Sequence, residues 1–209
     1  MRRLPNLLTV ARLLLSLAMF ASLVAIGAGE RGAPIPDAVG AWLVRFSLAA
    51  FIVAAVTDFL DGWLARRWKV TSLSGAILDP IADKVLVCGA IVGLLAVAMP
   101  YWFAGLGGLI LFREFAISAL REVLAPRGVK LPVTFLAKTK TTVQLLALGG
   151  LMILAFWPVW GIDMTVEQLQ TAWLWAEMLF ILATLVTLWT GVEYGRAAAR
   201  ALRQPDGQK

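Results

Sequence analysis

The chain has 209 residues, 60% of them hydrophobic and only 15% charged, with a formal net charge of +6. Soluble domains carry about 45–50% apolar and about 25% charged residues, so this is the composition of a membrane protein. There is no histidine and a single cysteine, Cys88, which excludes His-ligated zinc, a Ser-His-Asp triad and any disulfide within one chain.

Taken in order, the chain opens with a basic start, Arg2-Arg3, and an apolar segment over about 7–27. A secretory leader would begin the same way, but Arg12 interrupts the run and later segments demand membrane insertion anyway. After a Gly- and Pro-containing loop, Gly29 to Pro36, a second segment covers about 38–60, followed by a polar turn from Arg66 to Ser74. A third covers 75–98 and stops at Met99-Pro100, and a fourth covers 101–124 and closes at Ala125-Pro126-Arg127-Gly128. A fifth covers 133–156, stopped by Trp157-Pro158 and Gly161, and the last covers 168–194 before a basic tail. Each reaches the roughly 20 residues that cross a bilayer. The expectation is an all-α bundle of six transmembrane helices forming one domain over residues 1–209.

Arg2, Arg3, Arg66, Arg67, Lys69, Arg127, Lys130 and the C-terminal arginines fall on one side of such a bundle, while Arg31 is the only basic residue of the opposite loops. The positive-inside rule then puts both termini in the cytoplasm. Trp42, Trp102, Trp157, Trp160 and Trp173 fall near the outer ends, as an aromatic belt requires. Arg45 and Glu177 lie in the outer halves of their spans at similar depth and are expected to pair, within one chain or across a dimer contact, since an unpaired charge there is costly. Cys88 reads as a packing residue.

The stretch Val56 to Lys84 departs from this apolar background. Asp58 and Asp61 are three apart, and Asp79 and Asp83 four apart, so each pair shares one face of its helix. Two helices joined by the basic turn would bring four carboxylates together, and such a cluster repels itself unless it holds cations. Oxygen ligands without His or Cys suit Mg²⁺ or Mn²⁺, and two such ions about 3.5–4 Å apart can bridge a phosphate. Gly75 shares the face of Asp79 and would let backbone and phosphate approach closely. Gly62 and Ala65 allow tight helix packing, and Arg66 at the helix end can bind a phosphate. The same carboxylates would also suit an ion pathway or structural ion pairs.

Asp58-x-x-Asp61-Gly62-x-x-Ala65-Arg66, eight residues, then Gly75-x-x-x-Asp79-x-x-x-Asp83 resembles the signature of the CDP-alcohol phosphotransferase family at every position. The resemblance implies a six-helix membrane bundle, usually dimeric, in which an alcohol attacks the β-phosphorus of a CDP-linked lipid and releases CMP. It implies that Asp58, Asp61, Asp79 and Asp83 ligate the metals and that Asp83 is also the general base. Gly62, Ala65, Arg66 and Gly75 would frame the cytidine diphosphate, and Asn6, in the opening Pro5-Asn6-Leu7-Leu8-Thr9-Val10-Ala11-Arg12, is assigned to the same moiety.

That opening, Arg113-Glu114-Phe115 through Leu120-Arg121-Glu122, and Leu136 through Gln144 are similar to segments of the bacterial phosphatidylglycerophosphate synthase branch. The acceptor implied is glycerol 3-phosphate, with CDP-diacylglycerol as donor. Its dianionic phosphate needs cations, and Arg113, Arg121, Lys138 and Lys140 are those available. Each has a plainer reading: Arg121 and Lys138 as interfacial anchors, Arg113 in an ion pair with Glu114, and the lysines as counter-charges to anionic lipid. Sister enzymes using inositol phosphate, serine or phosphatidylglycerol share the signature. A metal-ion transporter would need polar residues through the outer half of its spans, and Ile91 to Ala98 offers none.

Overall fold

Six long α-helices carry the fold of the computed structural model, which describes residues 4–32, 35–68, 73–97, 99–125 and 135–203. Side chains are described throughout except at 4–6, 30, 59–68, 73–77, 79–80, 135–138, 201 and 203. The helices are α1 (Leu4–Glu30), α2 (Asp37–Trp68), α3 (Leu73–Ala96), α4 (Tyr101–Leu124), α5 (Phe135–Ala155) and α6 (Val166–Arg203). No strand occurs among the described residues. Four helical stretches, Leu7–Gly29, Asp37–Asp58, Tyr101–Leu124 and Val166–Arg200, are long and apolar enough to cross a membrane, and Thr139–Ala155 is a shorter apolar one.

Each expected segment falls on one helix, but two helices outrun their apolar stretch. α2 continues through Trp68 and α6 through Arg203, because an α-helix satisfies its own backbone and does not have to stop where apolar side chains do. The expected turn from Arg66 to Ser74 is correspondingly short: Arg66 closes into α2, Ser74 opens α3, and 69–72 lie outside the described residues. Pro100 stands at the N-cap of α4 with extended backbone, as a residue without an N–H can. After α5 a 3₁₀ turn, Trp157–Trp160, ends on Gly161 at φ 65°, a left-handed conformation that favours glycine.

Apolar side chains cover the outside of the bundle as well as its core, and several polar ones are buried. On α1 the inward stripe is Thr9, Arg12, Ser16, Met19, Leu23 and Ile26, while Leu7, Leu14, Leu17 and Val24 point outward. On α6 the buried stripe runs Ala176, Phe180, Ala183, Thr187, Thr190, Tyr194 and Ala198. Both repeat every three or four residues, the period of one helix face. Polar groups are turned inward because the bilayer offers them no partner.

α1 packs along α2 and α3, α6 packs along α4 and α5, and the two triplets meet along narrower seams where α2 and α3 face α4 and α5. Small residues set the α1–α3 distance. A Cβ on Gly27 would lie 2.0 Å from the Ala96 carbonyl oxygen, and one on Gly93 would lie 2.6 Å from Leu23 Cδ1, so the backbones approach more closely than a larger residue permits.

Arg45 and Glu177 do not pair within the chain: no ion pair joins them among the described residues. Instead Arg45 Nη2 donates to the Val159 carbonyl at 3.1 Å. The 3₁₀ turn leaves carbonyls free beside α2, and one of them takes the guanidinium.

Gly27→Ala is expected to destabilise the detergent-solubilised protein by about 1–3 kcal/mol through overpacking, seen as a lower melting temperature. Gly40→Ala, whose Cβ would have nothing within 4 Å, should not lower it; equal behaviour of the two would refute the close α1–α3 contact.

Candidate functional site

The charged residues inside the bundle collect at the end opposite the tryptophan-rich 3₁₀ turn. At their centre is Arg12, only 1% exposed although it lies in an otherwise apolar helix. Its Nη1 donates to Asp58 Oδ1 on α2 and, at 2.8 Å, to Asp83 Oδ1 on α3. One buried guanidinium nitrogen thus joins a carboxylate from each aspartate pair. Asp58 and Asp83 remain 34% and 55% exposed.

Two carboxylates from different helices that converge on one cationic nitrogen already bound a space suited to positive charge, and their oxygens are the donors that Mg²⁺ or Mn²⁺ prefers. Asp61 lies on α2 one turn beyond Asp58, and Asp79 lies on α3 one turn before Asp83. Their side chains fall outside those described, so the expected set of four is described for Asp58 and Asp83. Among the described residues no three acidic or sulfur ligands come together. Gly62, Ala65, Arg66, Gly75, Asn6 and Lys138 likewise sit on described helices, with their side chains outside those described.

A second charged cluster occupies the facing triplet. Lys140, on α5 and 5% exposed, donates Nζ to Glu114 Oε1 on α4. Arg113 Nη1 donates to the same oxygen at 3.2 Å and its Nη2 to Thr190 Oγ1 at 2.9 Å. Gly191, one residue on, makes room for that side chain, since a Cβ there would lie 2.9 Å from Arg113 Cγ. Arg121 reaches Tyr194 Oη at 3.4 Å, and its guanidinium carbon stands 5.3 Å from the ring centroid. Gln144 Nε2 donates to Thr187 Oγ1 at 2.6 Å, binding α5 to α6.

The clusters share one cavity of about 80 Å³, lined by Asp83, Lys84, Val87 and Cys88 of α3, Glu114 of α4, and Lys140, Thr141 and Gln144 of α5. Of the four basic residues expected to form an anion pocket, the structure brings Lys140 to this cavity. Arg113 and Arg121 are turned toward α6 instead, because Thr190 and Tyr194 offer them hydroxyls and a ring face. Cys88 sits in the cavity wall and also borders an apolar cleft with Leu17, Phe20, Val85, Gly89 and Val92, so it packs between a polar and an apolar space.

In the sequence Arg12 reads as an interruption of an apolar run and Glu114 only as a partner for Arg113. The signal for Arg12 was present: an arginine buried in a span must have a carboxylate at its depth, and Asp58 and Asp83 were the candidates.

Residues 2–189 match the family described as CDP-alcohol phosphatidyltransferase. The chain is similar to the CDP-diacylglycerol–glycerol-3-phosphate 3-phosphatidyltransferase of Haemophilus influenzae, 39% identical over 154 residues that cover 73% of this chain and 76% of that protein. It is 38% identical over 160 residues to the protein of the same name from Salmonella typhimurium, covering 76% and 81%. To that from Shigella flexneri it is 39% identical over 162 residues, covering 77% and 81%.

Arg12→Met leaves Asp58 and Asp83 facing each other without the guanidinium. The expected loss is about 1–3 kcal/mol, less than for a fully buried pair because both carboxylates reach solvent. It is measured as a fall in melting temperature in detergent with a chelator present, partly recovered by Arg12→Lys. An unchanged melting temperature for Arg12→Met would contradict the assigned network.

Proposed function

The chain belongs to the CDP-alcohol phosphatidyltransferase family, and we propose that it transfers the phosphatidyl group from CDP-diacylglycerol to glycerol 3-phosphate, giving phosphatidylglycerophosphate and CMP. The observation that carries this reading is that Arg12 joins Asp58 to Asp83 and that Asp83 shares a cavity with Lys140. A carboxylate able to take a proton and an ammonium able to hold a phosphate line the same cavity, which supports this reading. The names of the relatives point to the same acceptor.

Asp58, Asp61, Asp79 and Asp83 would hold two Mg²⁺ or Mn²⁺ ions, which when bound supply neutralising charge to the pyrophosphate and the departing CMP. Asp83 accepts the proton of the acceptor hydroxyl, whose oxygen bonds to the β-phosphorus as the bond from that phosphorus to the CMP oxygen breaks. Arg12 keeps the Asp58 and Asp83 carboxylates in place from behind, as the supporting residues of a metal site do. Gly62, Ala65, Arg66, Gly75 and Asn6 frame the cytidine diphosphate. Lys140 receives the acceptor phosphate, with Lys138, Arg113 and Arg121 adding positive potential around it.

The basic residues of Arg66, Arg67, Lys69, Arg127 and Lys130 put this end of the bundle, and both termini, on the cytoplasmic face of the cell membrane. Soluble glycerol 3-phosphate reaches the site from there, while the diacyl tails stay in the leaflet. The protein acts as a homodimer.

With purified protein in detergent, CDP-diacylglycerol and Mg²⁺ or Mn²⁺, CMP release is expected to depend on glycerol 3-phosphate and to stop on chelation. Asp83→Asn should reduce it about 10²–10⁴-fold, the usual contribution of a positioned general base. Release that depends instead on serine, inositol phosphate or phosphatidylglycerol would keep the family and overturn the acceptor.

A further inference from the structure

Glu114 is the one cavity carboxylate for which the reaction described above has no use. Its Oε1 takes both cations, Lys140 Nζ and Arg113 Nη1, while Oε2 has no donor among the described residues. The side chain is 20% exposed, and it borders the same cavity as Asp83, Lys84 and Lys140. A carboxylate held through one oxygen by two charged donors has lost its rotational freedom, so its other oxygen is a fixed hydrogen-bond acceptor.

The acceptor has a matching group. Glycerol 3-phosphate carries two hydroxyls besides its phosphate. One attacks and gives its proton to Asp83; the other, on the central carbon, survives into the product and needs a partner inside an apolar bundle. The cavity offers two carboxylates from different helices, Asp83 on α3 and Glu114 on α4, and an ammonium, Lys140, for the phosphate. We propose that Glu114 Oε2 accepts the hydrogen bond of the acceptor's central hydroxyl and so makes the site specific for a phosphorylated vicinal diol. This rests on the assignment of glycerol 3-phosphate as acceptor and adds the residue that reads it. Glu114 thereby has two roles, orienting Lys140 and Arg113 through one oxygen and selecting the substrate through the other.

The test compares CMP release with glycerol 3-phosphate and with 3-hydroxypropyl phosphate, which lacks only the central hydroxyl. Wild-type protein should favour the diol in kcat/KM by about 10- to 100-fold, the range for one hydrogen bond to a charged group. In Glu114→Leu the preference should fall toward unity with the KM for CDP-diacylglycerol unchanged. Glu114→Gln, which keeps an acceptor oxygen, should give an intermediate ratio, and it serves as the reporter if the leucine variant does not fold. Wild-type protein that uses both acceptors equally would overturn the inference while leaving the glycerol 3-phosphate assignment standing. A Glu114→Leu or Glu114→Gln protein that loses rate on both acceptors equally would overturn it too, reducing Glu114 to a counter-charge. Activity with an unrelated alcohol alone would end both.

Discussion

Charge inside an apolar bundle is the constraint on which this structure turns. An arginine at membrane depth is costly unless it is paired, and Arg12 is almost wholly buried. Its partners include Asp58 and Asp83, so one side chain of α1 ties α2 to α3. The glycines at 27 and 93 let α1 come close enough to α3 for this to happen. In a soluble protein the apolar core would do most of the specifying. Here, where lipid is as apolar as leucine, packing and polar contacts carry more of that task.

The second triplet follows the same rule with different residues. Glu114 binds Lys140 of α5 to Arg113 of α4, Thr190 ties Arg113 to α6, and Thr187 ties Gln144 of α5 to α6. Two ion networks, each internally consistent, therefore face each other across the seam between triplets. One is rich in carboxylates and suited to metal and pyrophosphate; the other is rich in cations and suited to a second phosphate. The cavity lined by Asp83 and Lys140 lies where the two environments adjoin.

Much of this was legible from residue order alone. Apolar run lengths located all six helices, and the spacing of Asp58, Asp61, Asp79 and Asp83 singled out the carboxylate end, because periodicity within one helix is a local property. What was not legible depends on which helices face each other. Arg12 sits 46 residues from Asp58 and 71 from Asp83; an arginine in a span calls for a carboxylate at its depth, but only the packing of α1 on α2 and α3 selects these two. Arg113 and Arg121 read as cations available for one phosphate, but Tyr194 on α6 lies beside both guanidinium groups. Arg45 found a backbone carbonyl in preference to a carboxylate, since a 3₁₀ turn next to it offered one.

The central claim is that the Asp58–Asp83 end is a divalent-metal centre. Anomalous diffraction from crystals grown with Mn²⁺ and CDP-diacylglycerol tests it most directly. The account predicts manganese peaks between the α2 and α3 aspartates, within coordination distance of Asp58 and Asp83, with the pyrophosphate against them. Manganese bound elsewhere, or none at the aspartates while the nucleotide is seated there, would contradict it.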